Sequence, residues 1–287
     1  MAEREQFSVC MSVYHRDDPV WLQQAVESIL QQTRLPAQIV LVVDGPVGAE
    51  LEQVICRYEA AERFLVIRLA ENQGLGNARR VGLAHCSHDL VAMMDSDDLS
   101  LPDRFEKQLA VFAAEPELSI VGGQIAEFME TPEQVVGIRS VPCRDGQIRS
   151  ELKVRCPFNH VTVMVRKSHV DAAGGYLDWF SNEDYYLWIR MYLSGCRFAN
   201  VDQVLVNVRV GSDMYRRRGG WKYFRSELGI QNYMLQHKVI GLGSYCVNVA
   251  KRLIVQVLLP NRIRGWVFRK FARTQAEMET KHERTEC

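Results

Sequence analysis

The sequence contains no Cys-x-x-Cys pair, no uninterrupted apolar run of about 18 residues and no Gly-x-Gly-x-x-Gly fingerprint. The cysteines, at 10, 56, 86, 143, 156, 196, 246 and 287, lack metal-ligand spacing. Several fall in apolar segments, where a free thiol behaves as a small hydrophobe. Lys251 and Arg252 break the best membrane-spanning candidate, and no signal-peptide pattern precedes Phe7. A reducing cytosol is the expected compartment. Internal repeats and low-complexity tracts are also missing.

Net charge is missing too: 35 Lys and Arg balance 35 Asp and Glu over 287 residues. That zero conceals an asymmetry. Residues 1–208 carry 19 basic against 29 acidic side chains, whereas 209–273 carry 14 basic residues against only Asp213 and Glu227. A basic C-terminal block behind an acidic body points to an anionic partner.

What is present is an alternation of strands and helices. Apolar runs at Phe7–Val13, Gln38–Val43, Phe64–Leu69 and Leu90–Met94 read as strands. Helices are expected over Pro19–Gln32, Ala49–Glu62 and Asn77–His85. Such alternation implies right-handed crossovers and a mostly parallel sheet covered on both faces. Beyond Leu118–Gly122 the pattern breaks. A hairpin is expected from Gln124–Glu130 and Val135–Val141, a strand at His160–Val165, a helix over Ser181–Ser194, and strands near Arg197–Val201 and Val204–Val210. From Gly219 onward the pattern is helical and basic.

In an open parallel sheet, ligands bind beyond the carboxyl ends of the strands. Tyr14, Asp44, the loop 71–76 and Asp95-Ser96-Asp97-Asp98 all fall there. Three carboxylates at the exit of a buried strand repel one another and lose hydration, a cost that a divalent cation such as Mg²⁺ or Mn²⁺ relieves. The plainer reading is that Asp98 or Ser100 caps a helix starting near Leu101-Pro102. Asp44 is either a turn former or an acceptor for an imide N–H such as that of uracil. Gly74 and Gly76 mark positive φ before a helix or close approach to a ligand, with Arg79 and Arg80 one turn on as cations for phosphate or carboxylate partners. Glu183-Asp184 are either acids favoured by a helix N-terminus or a general base brought to the metal site from the second half of the chain.

Together these residues resemble the family 2 inverting glycosyltransferases over about residues 5–210. The resemblance rests on Met11-Ser12-Val13-Tyr14, Val42-Val43-Asp44-Gly45, Glu71-Asn72-Gln73-Gly74-Leu75-Gly76-Asn77-Ala78-Arg79, Met94-Asp95-Ser96-Asp97-Asp98 and Glu183-Asp184-Tyr185. It implies a GT-A, or nucleotide-diphospho-sugar transferase, fold of class α/β with a mostly parallel sheet and a C-terminal helical extension. The implied catalytic domain is 1–210, with a nucleotide-binding half at 1–122 and an acceptor-binding half at 123–210; residues 211–287 form the extension. Ser12, Val13, Tyr14 and Asp44 would frame the base, and Asn72, Gly74, Arg79 and Ser96 would line the donor pocket. Asp95 would reach ribose or metal, Asp97 would hold Mn²⁺ or Mg²⁺, and Asp184 would act as base with Glu183 positioning donor or acceptor. The processive Gln-x-x-Arg-Trp motif is missing, which suggests addition of one sugar at a time.

The implied partners are a nucleotide-sugar, UDP-sugar favoured, and a glycan acceptor of the undecaprenyl-diphosphate-linked kind, in O-antigen, capsule or exopolysaccharide synthesis. In the tail, Tyr245, Val249, Ala250, Leu253, Ile254, Val257 and Leu258 share one helical face, with Asn248, Lys251, Arg252 and Gln256 on the other. Ile263, Trp266, Val267 and Phe271 repeat the pattern opposite Arg262, Arg269, Lys270 and Arg273. Such stripes face a core or lie on an anionic membrane; the cationic polar face favours the second, through residues 240–273 on the inner face of the cell membrane. Nucleic acid is disfavoured because no recognised module accompanies the charge.

Other classes fit less well. A haloacid-dehalogenase-type phosphatase wants Thr or Val where Leu99 stands, and puts its acidic strand first. A nucleotidyltransferase making sugar nucleotides opens with a glycine-rich loop where His15-Arg16-Asp17-Asp18 stand. A non-catalytic nucleotide- or glycan-binding module of the same fold is opposed by the intact Asp95, Asp97 and Asp184.

Overall fold

The computed structural model describes residues 5–211 and 219–259. Strands β1 (Phe7–Val13), β2 (Gln38–Val43), β3 (Phe64–Arg68) and β4 (Leu90–Met94) form a parallel array in the order β3-β2-β1-β4. Helices α1 (Pro19–Leu30), α2 (Ala49–Glu59) and α3 (Leu75–His85) make the crossovers. The near-continuous apolar strands divide by parity. Val9, Met11, Ile39 and Leu41 enter one core with Leu22, Val26 and Ile29 of α1. Cys10, Val40 and Val42 enter the other with Ala78 and Leu83 of α3. Alternate side chains thus meet a helical layer on each face, as a doubly covered sheet requires. Asp18 caps α1 by accepting from the Val20 and Trp21 N–H groups (2.8 and 3.2 Å), and Pro19 supplies the first helical residue.

The second half is mixed rather than parallel. After β5 (Leu99–Ser100) and α4 (Arg104–Ala114) come β6 (Leu118–Phe128), β7 (Val135–Arg139), α5 (Asp145–Leu152), β8 (Met164–Arg166), α6 (Lys167–Ala172), α7 (Glu183–Leu193) and β9 (Arg197–Arg209). β8 joins β4 to β6 through two antiparallel pairings, and β9 runs parallel to β6. The expected β6–β7 hairpin is present. The strand expected at His160–Val165 is instead a 3-10 turn, His160–Thr162, leading into β8. The two strands expected between 197 and 210 are one, with register shifts near Val201–Val204.

Helices α8 (Trp221–Gln236) and α9 (Leu242–Leu253), with a π-helical turn at Ile254–Leu258, are fastened to this body. Asn182 donates to the Ser226 hydroxyl (3.1 Å), Asn248 to the Lys153 carbonyl (2.9 Å) and Arg252 to the Val154 carbonyl (2.7 Å). Arg252 also pairs with the buried Glu227 (2.6 Å). The polar face of α9 is therefore the one turned inward, with Asn248 and Gln256 buried, while Ile254 and Leu258 stand exposed. No helix among the described residues is long and apolar enough to cross a membrane.

Candidate active site

The strand order turns at β1, whose neighbours are β2 and β4, so the crevice beyond the carboxyl ends of β1 and β4 is the expected ligand position. Asp44, at the end of β2, seats the loop after β3. Its two carboxylate oxygens accept from the Gln73 and Gly74 N–H groups (2.7 and 3.0 Å), and its carbonyl accepts from the Asn72 amide (3.1 Å). Each oxygen retains a second lone pair for a ligand. Two glycines make this possible. Gly45 has φ +85°, and a Cβ there would stand 2.6 Å from the Asn72 nitrogen; Gly74, at φ +86°, opens α3.

Ser12 and Tyr14 are half-buried and Val13 is buried. Asp17, which the sequence reading did not single out, ties this strand end to the acidic loop. One of its oxygens accepts from the Tyr14 N–H (3.1 Å) and the Ser96 hydroxyl (2.8 Å). Burial pushes its carboxyl above the usual carboxylate range, against the pull of those hydrogen bonds.

The three acids beyond β4 differ. Asp98 is buried and accepts from the Arg209 N–H (2.9 Å); burial and then the charges of Asp97 and Asp95 raise its carboxyl well above the ordinary value. It caps no helix: α4 starts from Asp103 without a side-chain cap, and Ser100 does not cap it either. Arg209 also donates to the Asp97 carbonyl (3.2 Å), and its guanidinium lies between the Trp21 and Phe128 rings, 4.7 Å from each centroid. Beneath the loop, the fully buried Arg104 donates to the Met93 carbonyl (2.8 Å). Burial pushes it down to about 9, while Asp95 and Asp98 hold it up, so at neutral pH it is a cation under the acids.

Of the two partners expected for Arg79, phosphate or carboxylate, the structure supplies the carboxylates: its guanidinium is buried between Glu183 (2.8 Å) and Asp95 (3.1 Å). Burial works against that charge, but Asp95 and Glu183 outweigh it and hold Arg79 above its usual value. Burial likewise raises the Glu183 carboxyl; Arg79 pulls it down and Asp184 pushes it up. The ion pairs thus lock the first turn of α7 to both α3 and the exit of β4.

Beside this lock lies a cavity of about 450 Å³, lined by Asp95, Asp98, His160, Asp184, Glu227 and Arg252 among others. Of the expected site residues, only Asp95 and Asp184 face it; Ser12, Tyr14, Asp44, Asn72, Gly74 and Ser96 do not line it. The sequence reading took His160 only as part of a strand. Its Nε2 lies 2.9 Å from the Tyr176 hydroxyl, its ring stacks on Trp188, and its Nδ1 has no protein partner. Burial, then Arg79 and Arg104, hold the imidazole neutral well below its usual range.

Among the described residues no three His, Cys, Asp or Glu side chains converge as a ready-made metal cluster. Asp95 and Asp97 nonetheless suit a hard divalent ion, because Mg²⁺ is commonly held by one or two carboxylates, with substrate phosphates and water completing its shell. Arg216–Arg218 and the basic stretch 260–273 lie outside the described residues.

Comparison with known proteins bears on this geometry. The Glycosyl transferase family 2 profile matches residues 8–172. A Haemophilus influenzae protein described as an uncharacterized glycosyltransferase is 42% identical over 262 residues, covering 88% of this chain and 96% of that one. The amylovoran biosynthesis glycosyltransferase AmsE of Erwinia amylovora is 36% identical, with 92% and 98% covered. The Escherichia coli UDP-Gal:alpha-D-GlcNAc-diphosphoundecaprenol beta-1,3-galactosyltransferase is also 36% identical, with 93% and 96% covered. In fold, the chain is similar to residues 1–349 of Staphylococcus aureus TarS in complex with UDP, at TM-score 0.62 and 18% identity over 92% of this chain and 74% of that one. This chain, with two carboxylate-bearing segments locked together at the carboxyl edge of a GT-A sheet, belongs to glycosyltransferase family 2.

Proposed function

We propose that the protein transfers one sugar, with inversion, from a UDP-sugar to a hydroxyl of a lipid-diphosphate-linked glycan in bacterial surface-polysaccharide synthesis. The observation that carries this reading is the Glu183–Arg79–Asp95 lock, beside which Asp95 and Asp184 face one cavity. The E. coli relative, whose name specifies a UDP-sugar donor and a diphosphoundecaprenol acceptor, supports the substrate classes.

In this reading Ser12, Val13, Tyr14, Asp44, Asn72, Gly74 and Ser96 hold the nucleotide, and Asp95 reaches its ribose. Asp97 with Asp95 holds Mn²⁺ or Mg²⁺, which when bound neutralises the charge growing on the leaving diphosphate. A sugar hydroxyl does not ionise at neutral pH, so Asp184 takes its proton as it attacks the anomeric carbon opposite the diphosphate. Glu183 stays fixed by Arg79 and orients the sugar beside it. The enzyme works at the inner face of the cell membrane, docked through residues in 240–273.

Asp184→Asn is expected to lower transfer by about 10²–10⁴-fold while leaving UDP-induced thermal stabilisation intact. Transfer should also fail in EDTA and recover with Mn²⁺. Undiminished turnover by Asp184→Asn would remove the base assignment; full activity in EDTA would remove the metal.

A further inference from the structure

The described C-terminal helices have an inverted pattern of burial. On α9 and the turn that follows, Asn248, Arg252 and Gln256 face the body, while apolar side chains are exposed on the outside with Lys251 beside them. Val247, Ala250, Ile254 and Leu258 recur at helical spacing, with Val247 52%, Ile254 50% and Leu258 65% exposed. Trp221, 52% exposed, lies at the same end, because the Gly220 N–H donates to the Gln256 carbonyl (2.9 Å). Exposed apolar side chains repeated along one helical face, unlike those scattered singly elsewhere on the surface, mark an interaction site.

The charges around it say which partner it takes. Glu227 is the sole acid between 219 and 259, and it is buried against Arg252. Lys222, Arg225 and Lys251 are exposed on the same two helices, with Lys222 over the Phe180 ring at 4.0 Å. Next in the chain after Leu259, residues 260–273 add five cations and no acid. An apolar face with an aromatic at its end, cationic flanks and no exposed carboxylate matches an anionic lipid surface, where Lys stems extend along the apolar region and their heads meet phosphate.

We infer that the outward face of α9 and its π-helical turn, Val247, Ile254 and Leu258 with Trp221 beside them, inserts into the headgroup region of an anionic bilayer. The inference rests on the lipid-linked acceptor proposed above and specifies the face that meets the lipid. The inward side chains of the same helix, Lys251 at its edge and Arg252 and Gln256 within, line the cavity that holds Asp184. The bilayer and the reacting carboxylate therefore stand on opposite sides of one helix.

Point substitutions test this better than truncation near residue 240, which would remove Arg252 and leave Glu227 buried alone. The full-length chain is floated with phosphatidylglycerol–phosphatidylethanolamine vesicles and with phosphatidylcholine vesicles. Wild type should bind the first and not the second. Ile254→Asp/Leu258→Asp should lose about tenfold or more in vesicle partitioning while keeping its melting temperature and its stabilisation by UDP. Wild-type-like flotation of the double variant would overturn the inference and leave the binding to other residues, 260–287 among them. So would a solution dimer, seen by sedimentation velocity, that the double variant dissociates. Transfer assayed in detergent on a solubilised lipid-linked acceptor keeps the two readings apart: it survives a failure of docking, whereas a failure of the transfer reading leaves flotation intact and that assay blank.

Discussion

Arg79 joins carboxylates that lie 16 residues downstream and 104 residues downstream of it; the Glu183 contact is buried and the Asp95 contact partly so. Removing one member of a buried ion pair leaves the other charge uncompensated. Arg79→Met should therefore cost about 3–5 kcal/mol in urea unfolding. The loss should depend on pH with a definite sign. Burial already raises Glu183, and without the guanidinium it rises further. A carboxyl raised in the folded state adds stability that is present below its unfolded value and lost as pH rises through its folded one. The variant's deficit should be largest near about pH 8 and shrink toward about pH 5, as Glu183 takes up its proton. A deficit independent of pH would mean that Glu183 does not carry the loss. The residue types in this lock are legible in the sequence, since Arg79, Asp95 and Glu183 all stand in the motifs that carry the family resemblance. Their pairing is not, because nothing in local spacing says that a cation on one helix is already satisfied by acids from two other segments.

At the scale of elements, the loop 71–76 takes its shape from its neighbour: Asp44 supplies the acceptors, and the two glycines supply backbone angles that other residues resist. They should respond differently to alanine. Gly74 has open space where a Cβ would go, so Gly74→Ala meets only its φ of +86° and should cost about 1–3 kcal/mol. Gly45→Ala meets a comparable φ and also the Asn72 nitrogen at 2.6 Å, so it should cost more and weaken UDP-induced stabilisation as well. Equal losses in urea unfolding would argue against the contact. Strands β1, β2 and β4 are legible in the sequence because both faces are buried, which makes each an almost unbroken apolar run; β3, at the sheet edge, is an apolar run that is only partly buried. The stretch 159–166 is not. Asn159, His160 and Thr162 sit in a turn held by tertiary hydrogen bonds, such as the Asn159 amide to the Gly123 carbonyl (2.8 Å), and apolar periodicity does not register those.

Across the whole molecule, the parallel half supplies Asp95 and the mixed half His160 and Asp184 to one cavity, with α8 and α9 walling it. The sequence shows that the 245–258 stretch is amphipathic, but not which side the body covers. Asn248 and Arg252 turn inward because their partners, the Lys153 carbonyl and Glu227, lie 95 and 25 residues away. That wall is one helix thick, about 10 Å across with its side chains. If its outer side rests on lipid, the helix acts as a ruler set between the membrane and the reacting hydroxyl. Acceptors whose free end lies only a sugar or two from the lipid diphosphate span that breadth, whereas longer ones must fold back on themselves. Turnover on vesicles should therefore fall as saccharide length grows, and a flat profile across such a series would mean that the membrane sets no limit on how far the growing chain can reach.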